Sequence, residues 1–482
     1  MHPAELRDLT ARILANGYVA HLLTIAGFVL AVFLIARLMS EKKAPANTFA
    51  WLLVILFIPY LGVPLFLLFG GRKLRRVAQR KTSVLPTLPH ALAGPSVGTT
   101  GPIAHTVVAA GGTPAVGGNR IRFLPTGEEE YAQLERHIRG ARHAIHITTF
   151  ILGRDDTGRR LVALLAERAR QGVKVRLLLD SLGCLFVRSS FVRPLRKAGG
   201  EIGRFMPMLP LTSRTSANLR NHRKIAIFDH ATAIVGGRNL AREYMGPSAF
   251  RRRWRDLGTL IEGPAAALIN EIFIADWCYA TRNPPEALHA EIPPEIAVAR
   301  GTSELQVVAS GPDVPGDPLY EGIVAMIQEA EASVRIVTPY FIPDDVLLRS
   351  LIVKARAGRD VTLVMPLRSN HPVTDFARRH YVRELRRAGG RVLLYPLGMM
   401  HGKAMIVDDR IGLVGSANFD LRSLFVNFEV GVMLHSPHDV GALRRWSDEL
   451  IAQCVAWPER PPRRRILGSV AEDLSRLLAP LL

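Results

Sequence analysis

Two kinds of hydrophobic pattern divide the chain. Near the N-terminus the apolar positions are continuous: Val19 to Leu38, with His21 and Arg37 near its ends, and then Phe49 to Phe69. Roughly 20 apolar residues in succession cross a bilayer as a helix. The pattern therefore predicts two transmembrane helices, at about 19–38 and 48–69, within an anchor spanning 1–83. Pro59, Gly62 and Pro64 in the second run are better tolerated in membrane helices than in soluble ones. The length of the first run, and the second following so closely, argue against a cleaved signal peptide.

Beyond the anchor the continuous pattern breaks. Between Val84 and Gly118 the sequence is rich in Pro, Gly, Ala and Thr, which predicts a flexible linker over 84–118. From Asn119 onward short β-rich runs alternate with helical periodicity, and the series occurs twice. Ala144 to Ile151 matches Ser333 to Phe341 as a strand; a helix follows at about 158–171 and 346–357. A further strand lies at Lys174 to Asp180 and at Asp360 to Met365, and then Ala-Gly-Gly at 198–200 and 388–390 opens another. Buried strands alternating with helices imply an α/β fold. The expected repeats are 119–290 and 291–460, with a basic amphipathic helix at 461–482 that begins Arg463-Arg464-Arg465.

The repeat carries a polar motif in register. From His222, Lys224 lies 2 residues on, Asp229 7, Gly236 14 and Asn239 17; from His401, Lys403, Asp408, Gly415 and Asn418 follow at the same intervals. A single His-x-Lys-x4-Asp match is weak, but two in register point to an internal duplication. Alternation along a strand puts His222 and Lys224 on one face, and a turn at Asp229-His230 returns Asn239 toward them. The second copy supplies His401, Lys403 and Asn418, with Ser416 nearby. Facing each other, one imidazole can attack phosphorus while the other protonates the leaving oxygen. Lysines, Asn239, Asn418 and Ser416 would hold phosphoryl oxygens where charge develops. A nucleophilic histidine needs a carboxylate on its other nitrogen; the candidates are Asp256 and Glu429. This chemistry calls for no cofactor and no metal.

Charge narrows the setting. The formal net charge is +20, which suits polyanions such as nucleic acid, anionic lipid or phosphate-bearing substrates. A cluster from Arg72 to Lys81 behind the second apolar run predicts a cytoplasmic catalytic domain by the positive-inside rule. Cys184, Cys278 and Cys454 are too scattered for a disulfide framework or a metal site.

These stretches resemble the phospholipase D superfamily, and within it the bacterial cardiolipin synthases. The resemblance is carried by Arg220-Asn221-His222-Arg223-Lys224, Gly236-Gly237-Arg238-Asn239, Trp254-Arg255-Asp256, Thr338-Pro339-Tyr340-Phe341 and Ala417-Asn418-Phe419-Asp420. It implies two tandem phospholipase D-like α-β-α sandwich repeats forming one pseudo-twofold catalytic unit behind two transmembrane helices. It further implies a phosphatidyl group transferred between two phosphatidylglycerol molecules, through a phosphohistidine, to give cardiolipin and glycerol. By this analogy His222 is the nucleophile and His401 the acid, then base. Asp229 and Asp408 complete the catalytic motif, but the resemblance implies that they hold their hairpins. The implied location is a bacterial inner membrane, multi-pass, with anionic lipid as partner and no nucleic acid. Hydrolysis to phosphatidic acid, or a phosphodiesterase or nuclease activity, is the alternative. Gly402 beside His401 departs from the small hydroxyl residue common there, Gly398-Met399-Met400 lacks the expected aromatic, and Cys184 stands where Ser is usual.

Overall fold

The computed structural model describes residues 101–206, 219–293, 298–314 and 316–458, and positions 18, 21, 25, 27–29, 32, 52–58 and 62 ahead of them. The chain divides into two units, 1–72 and 73–482. The expected spans at 19–38 and 48–69 lie mostly outside the described residues, and the expected helix at 461–482 lies wholly outside them. In the first unit, residues 52–57 are helical, and Phe28, Leu56 and Phe57 turn outward. Among the described residues no helix is long and apolar enough to cross a membrane.

The second unit is a duplicated α/β sheet. Its first half contributes β1 (Val116–Leu124), β2 (Ala144–Thr149), β3 (Lys174–Asp180), β4 (Glu201–Phe205), β5 (Ile225–Phe228), β6 (Thr232–Gly236) and β7 (Gly258–Glu262). The second contributes β8 (Ser303–Ser310), β9 (Ser333–Val337), β10 (Phe341–Ile342), β11 (Asp360–Pro366), β12 (Arg391–Tyr395), β13 (Ala404–Val407), β14 (Ile411–Gly415), β15 (Phe419–Asp420), β16 (Glu429–Leu434) and β17 (Val455–Ala456). Strand order in the large sheet is β4-β3-β2-β5-β6-β7-β1-β8-β16-β14-β13-β9-β11-β12-β17, while β10 and β15 pair with each other in a separate two-stranded sheet. Read outward from the β1–β8 junction, both halves have the same order, so the duplication seen in the motif spacing extends to the topology. The junction is antiparallel, with Val116 opposite Leu305 and Asn119 opposite Ser303.

Side-chain alternation sorts the strands between two layers. In β5, Ile225 and Ile227 enter a core shared by both halves, while Ala226 and Phe228 enter a core private to the first half. In β13, Ala404 and Ile406 join the shared core, whereas Met405 and Val407 belong to the second half. Burial on both faces explains the nearly unbroken apolar runs of β2, β3 and β11. The shared core holds helix Pro264–Thr281, whose residues 264–278 are all buried, and much of helix Pro437–Ile451. Truncating a fully buried aromatic such as Phe273 to Ala would cost about 3–5 kcal/mol.

Two expectations are corrected. The stretch 84–118 was expected as linker, but helix Pro102–Ala109 and the start of β1 lie within it. Pro102 suits the first helical turn, and Ala104 and Val107 are buried, so this proline starts a packed helix. Secondly, β5 begins at Ile225, leaving His222 and Lys224 just ahead of the strand. The reason is that the backbone of His222 pairs with the other half.

Candidate active site

Two parallel bridges tie the halves together beside the histidines. His222 N donates to Phe428 O at 2.9 Å, and Phe428 N donates to Arg220 O at 2.9 Å. In the mirrored bridge His401 N donates to Arg255 O at 2.6 Å, and Arg255 N donates to Met399 O at 2.8 Å. Each motif histidine is thus laid against the segment that carries the other half's carboxylate.

The carboxylates are consequently delivered crosswise. Glu429 Oε1 lies 2.8 Å from His222 Nδ1, and Asp256 Oδ2 lies 2.7 Å from His401 Nδ1. Both carboxylates are fully buried; His222 keeps 13 % of its side chain exposed and His401 5 %. An ionised carboxylate only accepts, so each Nδ1 carries the proton and each Nε2 presents a lone pair. Lys224 Nζ donates to His222 O at 2.6 Å and stands over the Phe150 ring. Lys403 Nζ bonds the carbonyl of His401 and lies 3.2 Å from its Nε2. Phe150 packs edge-on against His222, and Tyr244, Trp254 and Tyr340 surround His401.

Burial and charge set the protonation pattern. Burial, reinforced by Lys403, pushes His401 down to about 3. Burial also lowers His222, against the opposing pull of Glu429. Burial draws Lys403 down to about 8, although Asp256 and Glu429 favour its charge. Burial alone would raise the two carboxylates, but Lys403 and His401 hold Asp256 below its ordinary range, and His222 and Lys224 do the same for Glu429. Burial likewise draws Lys224 well below the ordinary lysine value, although Glu429 favours its charge.

The remaining motif residues fall elsewhere. Asp229 and Asp408, which complete the motif, lie away from the histidines. Each sits in its hairpin turn, at the end of β5 or β13 away from the histidine, and φ is positive at both turn residues in each copy. Asp229 accepts from His143 N at 2.7 Å and Ala144 N at 3.0 Å; Asp408 accepts from Ala332 N at 2.8 Å and Ser333 N at 2.7 Å. They pin the hairpins to the starts of β2 and β9. Ser416, expected on phosphate, is fully buried behind Glu429: its hydroxyl donates to Oε2 and accepts from Val430 N at 3.0 Å. Asn239 accepts from Ile151 N at 3.0 Å, while Asn418 bonds Asp420 and keeps a buried Oδ1 without a partner. Among the described residues no group of three or more His, Cys, Asp or Glu side chains could hold a metal.

Two buried arginines of the first half, Arg223 and Arg238, support the site from behind. Arg223 Nε donates to Glu429 O at 3.0 Å, while its other nitrogens bond Asp276 at 2.6 Å and Ser310 O at 3.1 Å. Arg238 bonds Asp256 O, Glu130 and, at 2.8 Å, Leu124 O. One arginine therefore holds the backbone of each orienting carboxylate. Their counterparts in the second copy are Gly402 and Ala417. That contrast was visible in the aligned motifs as two arginines facing two small residues.

Comparison with known proteins follows the same outline. Residues 134–277 and 323–451 match a family model described as cardiolipin synthase, PLD-like domain, and residues 28–71 match one described as phospholipase D-nuclease N-terminal. The cardiolipin synthase of Geobacillus thermodenitrificans (strain NG80-2) is 34 % identical over 479 residues, covering 94 % of this chain and 92 % of that protein. The major cardiolipin synthase ClsA of Bacillus subtilis (strain 168) is 30 % identical over 486 residues, covering 95 % of this chain and all of that one. The crystal structure of phosphatidylserine synthase from Haemophilus influenzae Rd KW20 superposes with a TM-score of 0.57 at 16 % identity, over 75 % of this chain and 94 % of the other, a likeness of fold.

Proposed function

We infer what this chain does from two premises: it belongs to the cardiolipin synthase family of phospholipase D-like proteins, and its two halves build one site with two histidine–carboxylate pairs. It is a phosphatidyltransferase that converts two phosphatidylglycerol molecules into cardiolipin and glycerol. The observation that carries the mechanism is the crosswise pairing, which engages each Nδ1 with a carboxylate and leaves each Nε2 as the nitrogen that no carboxylate holds.

In the first step His222 Nε2 attacks the phosphorus of one phosphatidylglycerol. The phosphorus–oxygen bond to the terminal glycerol breaks, His401, which takes up a proton from solvent on Nε2 as the phosphodiester anion binds, passes it to that oxygen, and glycerol leaves a phosphatidyl-His222. In the second step His401 takes the proton from a glycerol hydroxyl of another phosphatidylglycerol. That oxygen attacks phosphorus, the phosphorus–nitrogen bond breaks, and His222 is restored. Lys224 and Lys403 offset the charge on the non-bridging oxygens, with Asn239 and Asn418 in reserve as donors. A phosphodiester anion entering beside Lys403 offsets the cation that depresses His401, and so raises that imidazole toward its role as acid.

The N-terminal unit anchors the enzyme as two transmembrane helices at about 19–38 and 48–69, with the catalytic unit on the cytoplasmic side of a bacterial inner membrane. The two apolar runs, the outward Phe28, Leu56 and Phe57 and the basic cluster from Arg72 to Lys81 support this reading. The deciding assay gives the full chain labelled phosphatidylglycerol in detergent. Cardiolipin with glycerol is expected, and His222→Ala or His401→Ala abolishes it. Phosphatidic acid as the product, or no lipid product, would overturn the reading.

A further inference from the structure

Three loops at the catalytic end of the sheet share a character that the transfer chemistry does not use. Strands β2, β3 and β4 run parallel, as do β9, β11 and β12. The loops after them therefore emerge at the end where Phe150 follows β2 and Tyr340 follows β9, with rings 5.2 Å from His222 and 6.4 Å from His401. These loops are 181–192 after β3, 367–371 after β11 and 396–400 after β12, the first two leading into helices that begin at Arg193 and Pro372.

Leu182, Leu185, Phe186, Leu367 and Leu397 are exposed in them, Phe186 by 74 % and Leu397 by 68 %, and Val373 is exposed in the first turn of the helix that follows the second. Arg188, Arg193 and Arg368 are exposed among these, and the three segments contain no Asp or Glu. Single exposed apolar side chains are ordinary on a protein surface; six gathered at the mouth of one site, interspersed with cations, are not.

Direct contacts fix this rim to the walls of the site. Cys184 Sγ donates to Phe150 O at 3.2 Å, tying the first loop to the ring that packs on His222. Tyr340 donates its hydroxyl to Asn370 and stands 5.6 Å from the His371 ring, tying the second loop to the wall beside His401. The third loop runs directly into His401.

We propose that the three loops form a docking surface that seats the mouth of the site on an anionic bilayer. The apolar tips enter at headgroup depth and the arginines pair with lipid phosphates. This rests on the phosphatidyltransferase reading, and it deepens that reading by stating how the substrate arrives. A phosphodiester at headgroup depth can then meet the slightly exposed His222 while its acyl chains stay in the membrane. Juxtaposed arginines strengthen attraction to an anionic leaflet, and apolar tips alone would not discriminate between lipids.

The test uses the full chain reconstituted into phosphatidylglycerol vesicles. Cys454→Ser removes the one native thiol that is not buried. Phe186→Cys or Val353→Cys then carries an environment-sensitive fluorophore. Val353 is also exposed, by 56 %, but lies in the last turn of helix Asp345–Arg356, at the opposite end of the sheet. Nitroxide-bearing lipids are expected to quench position 186 and spare position 353. Leu185→Ser and Phe186→Ser are expected to raise the apparent KM for vesicular phosphatidylglycerol about tenfold each, leaving turnover of a short-chain, monomeric phosphatidylglycerol unchanged. Equal quenching at both positions, no quenching at 186, or an equal loss on the monomeric substrate would overturn the docking surface. Concentration-dependent cross-linking between labelled 186 positions in place of quenching would assign the rim to a second copy of the chain, and would also overturn it. A parent enzyme inactive on both substrates would defeat the functional reading instead.

Discussion

Glu429→Gln probes the crosswise pairing at its most sensitive point. Glu429 is fully buried, and its Oε1 stands 2.8 Å from His222 Nδ1. A hydrogen bond to a charged group contributes about 1.5–3 kcal/mol, and a neutral one about 1 kcal/mol. The amide preserves the shape and a neutral bond through its oxygen, so the loss is about 0.5–2 kcal/mol. At 1.36 kcal/mol per decade, kcat/KM should fall about two- to thirtyfold. The pH profile adds a sign. The Glu429 charge pulls the pKa of His222 up against burial; neutralising it sends that pKa lower still. Attack requires the neutral imidazole, so the acid limb of kcat/KM moves to lower pH while the plateau falls. Asp256→Asn acts on His401 and should leave the acid limb in place. If Asp256→Asn moves the limb and Glu429→Gln does not, each histidine is served within its own half and the crosswise mechanism is wrong.

Four further substitutions test the scaffold behind the site. A Cβ at Gly237 would stand 2.3 Å from Asp256 Oδ1, so Gly237→Ser should displace Asp256 and abolish cardiolipin formation in the product assay, whereas Ser416→Gly should retain measurable turnover. Arg223→Met removes the guanidinium bonded to buried Asp276; breaking a buried pair costs about 3–5 kcal/mol, so thermal unfolding should shift sharply downward and expression suffer. Burial would raise Asp408, but the backbone N–H groups of Glu331, Ser333 and Ala332 hold it below the ordinary carboxylate range. Its stabilisation is therefore complete above the unfolded-state pKa and disappears as pH falls through the lower folded value. Asp408→Asn should destabilise by about 1–2 kcal/mol after solvent screening, with the gap from the parent in thermal melts closing below about pH 4.

Much of the scaffold was legible because local pattern determined it. Runs such as Lys174 to Asp180 are apolar enough to be strands buried on both faces, and β3 spans those residues. The intervals of 2, 7, 14 and 17 residues exposed the duplication, and the strand order repeats it. What stayed hidden depends on contact between the halves. Nothing near His222 in sequence specifies that its backbone N–H will bond Phe428 O, so it was placed inside the strand, and its carboxylate could not be matched to it. Ser416 was assigned to phosphate because its neighbour in space, Glu429, lies 13 residues away on β16. Arg223 looked like a charged residue within a motif; only the fold shows it buried against both halves.

The two copies have diverged in a correlated way, and this bears on which histidine does what. Asp256 is one methylene shorter than Glu429. Gly237 leaves room for its carboxylate where Ser416 stands in the other copy. The second oxygen of Glu429 is held by Ser416, and Oδ1 of Asp256 by Leu257 N at 2.7 Å. Gly402 and Ala417 replace the two arginines, so the guanidinium contacts to the backbones of both orienting carboxylates come from the first half alone. The imidazoles differ accordingly. His401 is the more buried and, beside Lys403, is driven to about 3, where a captured proton is readily given up again. His222 keeps an exposed edge and a carboxylate that opposes its depression. A depressed, enclosed imidazole suits a proton shuttle between two glycerol oxygens, and a more open one suits attack on phosphorus. Divergence of the supporting residues thus gives two histidines of common origin unequal surroundings, which supports the proposed assignment of His222 as nucleophile and His401 as acid and base.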